Sequence, residues 1–528
     1  MILNMGRLFR QIALRYSNET AIINVERDRK FTFLELHQLT NRVCNMLRDK
    51  FAMGEGDVYA TLLENDNMSF LHVWMAKSLS TALWLGVRDS FDEHFTQIDY
   101  VKPRLIFIEN HLLSKYRDWL TDRQIIIICM DKPDSTEEGV YYFWDIIGEA
   151  SSSEVNMEYV VDDINEHIFL LKFTGGTTAK GKCAMFSVSN YFGPGFNAIQ
   201  YSEVFPYDNP KALLSPPLTH AAGSLAIPVY FKGGAVLTLN QPDVDMICRT
   251  VEREKVDLIY TVPTVLYRML DMELPKHYDL SSLKTIRYGA SPISPSKLEE
   301  LVGQFGMIFV QAYGSTETWT PCVILGRKDH DLSSDTKGGR LNSVGRPMPG
   351  VEVQITDDNG NEVPIGEKGE IWIRGFHVTQ GYYKDPDQTN QNFCENGFWK
   401  SGDIGYMDKD GYIYLVDRKK DMIITGGFNV YAKEVEDCLN SHQSVKMSAV
   451  IGLPDDYWGE AVHAEVILKA GEEVKEDELI AHCKQTIAKF KAPKTIKFVD
   501  ELPLSSVGKV LKRAIKEKYW RNYEKLIH

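Results

Sequence analysis

The chain has 528 residues, 44% hydrophobic and 25% charged, a texture that fits several globular folding units and excludes a largely disordered chain. Lysine and arginine number 59 against 73 aspartate and glutamate, for a net charge of −14. There is no global basic field for nucleic acid, so a phosphate-bearing ligand has to be met by a local cluster of cations.

No apolar run approaches the roughly 20 residues of a membrane span. Arg7, Arg10 and Arg15 interrupt what could otherwise be a signal-peptide core. The eight cysteines lie singly, no two within 40 residues, which offers no zinc or redox spacing and fits a reducing compartment. The expectation is a cytoplasmic enzyme.

In chain order, Leu8, Phe9, Ile12 and Leu14 have helical spacing, and residues 32–50 continue it. Short apolar runs bounded by turn formers follow at 105–108, 125–129, 235–239, 258–262, 285–288 and 307–310. The amphipathic segments 244–254 and 296–304 lie between some of them. Strands alternating with helices predict layered α/β architecture with substantially parallel sheets. Beyond Gly345 the texture changes to period-2 alternation at 351–355, 370–374 and 412–415, which predicts a more antiparallel, β-rich subdomain. The charge-dense run Asp417-Arg418-Lys419-Lys420-Asp421 then marks a boundary before a smaller unit.

The most informative local segment is Phe173-Thr174-Gly175-Gly176-Thr177-Thr178-Ala179-Lys180-Gly181-Lys182, which follows the strand-like run 168–173. Glycines let backbone approach a ligand, threonine hydroxyls donate to phosphate oxygens, and two lysines add charge. The segment nearly completes the P-loop pattern GxxxxGK[ST]. Cys183, however, stands where the Mg²⁺-binding hydroxyl belongs, which weakens a P-loop NTPase reading without removing it.

Eight further segments follow in order. They are Pro216-Pro217-Leu218-Thr219-His220-Ala221-Ala222-Gly223; Val262-Pro263-Thr264; Tyr288-Gly289-Ala290-Ser291-Pro292; and Gln311-Ala312-Tyr313-Gly314-Ser315-Thr316-Glu317. Then come Ser343-Val344-Gly345-Arg346-Pro347; Trp399-Lys400-Ser401-Gly402-Asp403; the 417–421 run through Gly426-Gly427-Phe428-Asn429-Val430-Tyr431; and Leu502-Pro503-Leu504-Ser505-Ser506-Val507-Gly508-Lys509. Together with the glycine–threonine loop they resemble the adenylate-forming superfamily of acyl- and aryl-CoA synthetases, firefly luciferases and peptide-synthetase adenylation domains.

The resemblance implies a large N-terminal domain over 1–416, a hinge at 417–420 and a small mobile α+β domain over 421–528. It implies ATP-dependent conversion of a carboxylic acid, fatty or aromatic, to acyl-AMP. Transfer to coenzyme A then yields acyl-CoA, AMP and pyrophosphate. Thr174, Gly175, Gly176, Thr177, Thr178 and Lys182 would cradle phosphates, and Glu317 would hold Mg²⁺. Gly289, Ala290, Ser291, Gln311, Tyr313, Gly314 and Thr316 would receive adenine and the α-phosphate.

Asp403 would accept the ribose hydroxyls, an acceptor-only task suited to a carboxylate. Arg418 and Lys420 would reach the nucleotide from the hinge, and Lys509 would enter with the small domain to bond the attacking carboxylate. His220, Ala221 and Gly223 would line the acyl pocket, and Gly426 and Gly427 the coenzyme A path. On their own, a lysine in a basic tail is surface charge and a lone histidine is more often structural; the ordered set of motifs changes those odds.

Several positions depart from the family pattern: Gly175, Ala179, Gly181 and Cys183 in the loop, then Ile424, Ala432 and Ser505. None removes a group the chemistry needs. No carboxylate follows Leu218 to hold an amino acid's amine. Acyl transfer to a separate carrier protein, or a P-loop NTPase, stand as the alternatives, and a homodimer is compatible with the sequence.

Overall fold

The computed structural model describes residues 4–520 apart from 133–135, 156–164, 175–180, 201–204, 206, 242, 292, 320, 333–339, 456 and 505–509. Among the described residues, four sheets organise the chain. The first is seven-stranded: Val58–Leu62, Thr81–Trp84, Leu105–Ile108, Ile126–Cys129, Val140–Tyr142 and Ile168–Phe173 run parallel, and Cys183–Ser187 closes the edge antiparallel. The second has nine strands. Its parallel centre comprises Ala235–Thr238, Lys211–Leu214, Leu258–Thr261, Thr285–Gly289 and Phe309–Tyr313.

Local chemistry sets these elements where the sequence placed them. The helix Phe33–Asp49 begins in a reciprocal capping box of Thr32 and Glu35, which satisfies two orphan donors. Val244–Glu254 is capped by Asp243, whose side chain accepts from the Met246 amide. The run expected at 307–310 begins two residues later, as Phe309–Tyr313, because Gly306 and Met307 complete the turn after the helix Pro295–Phe305.

The two large sheets share one core, in which Trp74, Trp84, Tyr191, Tyr230, Tyr260 and Trp319 pack together. A second core lies on the outer side of the nine-stranded sheet, where Ile286, Tyr288 and Phe309 meet its covering helices. Beyond Gly345 comes the antiparallel sheet Val351–Thr356, Gly369–Gly375, Trp399–Met407 and Ile413–Arg418. Its third strand contains the Trp399–Asp403 motif. The short turn Lys419–Asp421 then leads into a fourth, mixed sheet with its own core of Ile423, Val435, Val450, Val462 and Val466. The fold is α/β, with a large N-terminal and a small C-terminal part. Among the described residues no helix is long and apolar enough to cross a membrane.

Candidate active site

The glycine–threonine segment joins two antiparallel strands, Ile168–Phe173 and Cys183–Ser187, with Phe173 opposite Cys183. The Thr174 amide donates to the Lys182 carbonyl at 2.8 Å and closes the loop's neck. Gly181 has φ +59°, a left-handed conformation that suits glycine. A P-loop would require a helix to open directly after the Gly-Lys pair. Here a strand opens instead, so the geometry does not match that rival. Gly175, Gly176, Thr177 and Thr178, with Lys509, lie outside the described residues.

Residues 379–383 run beside the second of these strands. The amides of Gln380 and Tyr383 donate to the carbonyls of Met185 (3.0 Å) and Cys183 (2.7 Å), and the Met185 amide donates to Gly381 at 3.0 Å. The same segment reaches Glu317. The Thr379 amide donates to its carbonyl at 2.8 Å, and the Tyr382 hydroxyl donates to its Oε1 at 2.9 Å. Lys182 extends over the Tyr382 ring, 4.9 Å from its centroid, and donates to Asn392 Oδ1 at 3.0 Å. Burial lowers the Lys182 pKa, opposed by Glu317 and Asp385.

The nucleotide candidates form a second group. Strands Thr285–Gly289 and Phe309–Tyr313 are neighbours, with Gly289 beside Ala312. A Cβ at Gly289 would lie 2.3 Å from the Ala312 carbonyl oxygen, so only glycine lets the strands approach this closely. Ala290 follows with φ +66° and turns the chain toward Ser291. Gln311 is buried and accepts from the Tyr288 hydroxyl at 3.3 Å, in a chain that continues to His330.

At the end of the second strand the Tyr313 hydroxyl donates to Asp403 Oδ2 at 2.7 Å, and Gly314 and Thr316 follow in a half-buried turn. Asp403 lies opposite Arg418 across the antiparallel sheet, with Arg418 Nε 2.5 Å from Asp403 Oδ1. Burial works against the Arg418 charge, but Asp403, Tyr313, Asp421 and Glu317 raise its pKa overall. Both Asp403 oxygens are therefore engaged, each with a lone pair to spare.

The next residues form the Lys419–Asp421 turn. Lys419 is held by Asp358 (3.0 Å) and Glu370 (3.2 Å). Lys420 projects into the field of Arg418, Asp403 and Lys182, and desolvation lowers its pKa first, with Asp421 opposing.

On the acyl side, His220 precedes the short helical turn Ala221–Leu225. Burial, then the neighbouring charges of Lys172 and Arg88, drive its pKa well below the ordinary 6.5, so the imidazole is neutral. A Cβ at Gly223 would sit 2.0 Å from the Leu218 carbonyl oxygen and 2.5 Å from His72 Nε2, leaving room for glycine only. Gly426 and Gly427 have φ of +55° and +79° at the tip of the hairpin Ile423–Thr425 and Phe428–Val430. Consecutive left-handed residues are what a tight type I′ hairpin demands, so the turn itself explains these glycines. Phe428 and Trp458 lie exposed beside it.

The structure thus brings Lys182, Glu317, Tyr313, Asp403, Arg418 and Lys420 into one electrostatic neighbourhood. Tyr382 and Asn392 belong to it too and were missed in the sequence. Only the Gly381-Tyr382-Tyr383 turn before Asp385-Pro386 hinted at a fixed segment, and nothing local pointed to Glu317 or Lys182. Among the described residues no three His, Cys, Asp or Glu side chains gather as a metal site.

Known proteins resemble this chain in sequence and fold. Residues 9–383 match the family described as AMP-binding enzyme, and residues 434–509 match the AMP-binding enzyme C-terminal domain. The chain is 37% identical to the medium/long-chain-fatty-acid–CoA ligase FadD8 of Mycobacterium tuberculosis, over 80% of this chain and 72% of that protein. It is 35% identical to a feruloyl-CoA synthase of an Amycolatopsis species, over 67% and 70% respectively. Its fold matches ATP-bound MatB from Rhodopseudomonas palustris with a TM-score of 0.86 at 26% identity, covering 99% of this chain and all of that one. The chain belongs to the AMP-binding enzyme family: it is an AMP-forming acid–thiol ligase of the adenylate-forming superfamily.

Proposed function

We propose that the chain converts a carboxylic acid, fatty or aromatic, to an acyl-adenylate with ATP and passes the acyl group to coenzyme A. The observation that carries this reading is the Tyr313–Asp403–Arg418 cluster facing Lys182 and Glu317. An acceptor for ribose and donors for phosphate converge there from four separate segments.

A carboxylate oxygen attacks the α-phosphorus and the bond to pyrophosphate breaks. The thiol then attacks the acyl carbon and AMP leaves. Both reactants of the first step are anions, so fixed cations lower the barrier by neutralising charge and aligning the groups. Lys182 and Thr174, with Gly175, Gly176, Thr177 and Thr178, would bind the phosphates. Neutral His220 would pack against the acid's carboxylate without adding charge, beside Ala221 and Gly223.

Glu317 suits Mg²⁺, which keeps several waters and takes one protein carboxylate alongside phosphate oxygens. When bound, the ion would neutralise phosphate charge. Residues 417–420 would act as the hinge between 1–416 and 421–528. That motion would bring in Lys509 for adenylation and then the Gly426–Gly427 tip for thioester formation.

The test is acid-dependent pyrophosphate release from ATP, followed by AMP release on adding coenzyme A. ADP formation or acid-independent turnover would overturn the reading. AMP release that needs a carrier protein instead would redirect the second step.

A further inference from the structure

Arg287 sits in the middle of the strand Thr285–Gly289 and is 2% exposed. Its neighbours Ile286 and Tyr288 point into the outer core, so alternation sends Arg287 to the opposite face, between the two large sheets. Two residues away on that face is Gly289, whose backbone borders the nucleotide candidates. Its neighbour there is Tyr260, with the Arg287 guanidinium carbon 5.9 Å from the ring centroid. The Tyr260 hydroxyl lies 3.6 Å from where a Cβ on Gly289 would be. The guanidinium is therefore about one phenol's length from the adenylation site.

Among the described residues Arg287 has no counter-charge. Its Nε and Nη2 are buried with no hydrogen-bond partner, and the Tyr260 hydroxyl is also unpartnered. Desolvation lowers its pKa to about 10, and Tyr260 is the one group that opposes this. Thr285, two residues earlier on the same face, is satisfied by contrast: it hydrogen-bonds the Tyr207 hydroxyl, which accepts from Arg327 Nη2 at 3.1 Å.

An unpaired buried guanidinium is costly, and truncation of such groups is tolerated unless something binds them. The open nitrogens form one edge of the guanidinium. Elsewhere in this chain that same edge grips carboxylates side-on. Arg123 Nε and Nη2 lie 2.6 and 3.1 Å from the two Asp99 oxygens, and Arg48 lies 2.7 and 2.9 Å from those of Asp49.

We infer that Arg287 is a specificity-determining residue that receives a second oxygen-bearing group, a carboxylate above all, on the tail of the acid being activated. This rests on the ligase reading and narrows it: the preferred acid carries an anionic oxygen group a short distance from its reacting carboxylate. The Tyr260 hydroxyl supplies a further donor to the same group.

The full-length enzyme should be assayed for pyrophosphate release with straight-chain monocarboxylates of four to ten carbons and the α,ω-dicarboxylates of equal length. At least one dicarboxylate should exceed its monocarboxylate partner by about 100-fold or more in kcat/KM. Arg287→Met should bring that ratio to near one while leaving kcat for monocarboxylates intact, and Arg287→Lys should restore part of it.

Without ligand, Arg287→Met should melt at or above the wild-type temperature, and the preferred dicarboxylate should raise the melting temperature of the wild type alone. Wild-type preference for the plain acids, or a ratio unmoved by Arg287→Met, would overturn the inference and leave the ligase standing. Failure of all these acids, and of aromatic monocarboxylates run beside them, to release pyrophosphate would bring down both.

Discussion

Replacing Asp403 by asparagine keeps the side-chain shape and removes its charge, at a point where two described groups already converge. Arg418 Nε lies 2.5 Å from Oδ1, and the Tyr313 hydroxyl 2.7 Å from Oδ2. The Asp403 side chain is 8% exposed but that of Arg418 is 37% exposed, so the pair is only half withdrawn from water. Exposed pairs contribute about 0.2–1 kcal/mol and loss of a fully buried one costs about 3–5 kcal/mol; the half-screened geometry puts this pair near 1–2 kcal/mol.

One ribose hydrogen bond to a charged acceptor, lost as well, adds about 1.5–2 kcal/mol. The sum, about 2.5–4 kcal/mol, corresponds to a fall in kcat/KM for ATP of about 60- to 700-fold at about 1.4 kcal/mol per factor of ten. Initial rates of pyrophosphate release against ATP concentration measure it. Tyr313→Phe keeps the ring and removes only the hydroxyl, for about 1 kcal/mol or roughly fivefold. Because the two residues touch, the double variant should show an interaction energy of about 0.5 kcal/mol or more. An Asp403→Asn enzyme within threefold of wild type, or strictly additive effects, would refute the assignment of Asp403 as the ribose acceptor.

Tyr382→Phe frees Glu317 Oε1 from its 2.9 Å bond and should raise the Mg²⁺ concentration for half-maximal pyrophosphate release several-fold; an unchanged Mg²⁺ titration would remove Tyr382 as a positioning residue. Gly223→Ala forces a methyl against the Leu218 carbonyl and should lower acid-dependent turnover by more than tenfold while ATP binding, followed by thermal shift, survives. Equal loss of both would mark a folding defect instead.

Acidification should weaken the fold. Burial lowers His72 to about 3 and His330 and His377 to about 4, so the unfolded chain binds more protons and stability falls as pH drops through 6.5. Between pH 6.5 and 5.5 each contributes a loss of about 1 kcal/mol. Glu109, raised to about 7 by burial, gains stability in the same window and offsets about one of them. With the buried, lowered His220 and His37 acting in the same direction, stabilities extrapolated from urea unfolding at the two pH values should differ by a loss of at least about 2 kcal/mol, and a flat or opposite trend would contradict the burial of these imidazoles.

Much of the layering was legible because the signals are local. A threonine–glutamate capping pair starts a helix at residue 33, and runs such as 105–108 and 258–261 are too short and too apolar to be anything but buried strands. The site was legible only through ordered motifs. That Gly289 lies beside Ala312, or Asp403 opposite Arg418, depends on strand order, which no single segment encodes.

Arg287 shows the limit most clearly. It sits inside a run read as apolar, and its charge becomes meaningful only once both sheets enclose it. Gly426 and Gly427 show the converse: a tight turn already requires glycine at both positions, so their presence in the sequence does not by itself point to a ligand.

Arg418 has two neighbours of different kinds: the carboxylate across the sheet, and, directly after it in the chain, the short turn Lys419–Asp421. A pivot placed there has its inner bearing bolted to the floor that would carry the sugar. If the proposed hinge turns there, the outer lobe would sweep through an arc while the nucleoside stays in register, because the turn begins only one residue beyond the clamp. Lengthening the chain just before Arg418 would shear that clamp, whereas lengthening it after Asp421 would merely loosen the swing.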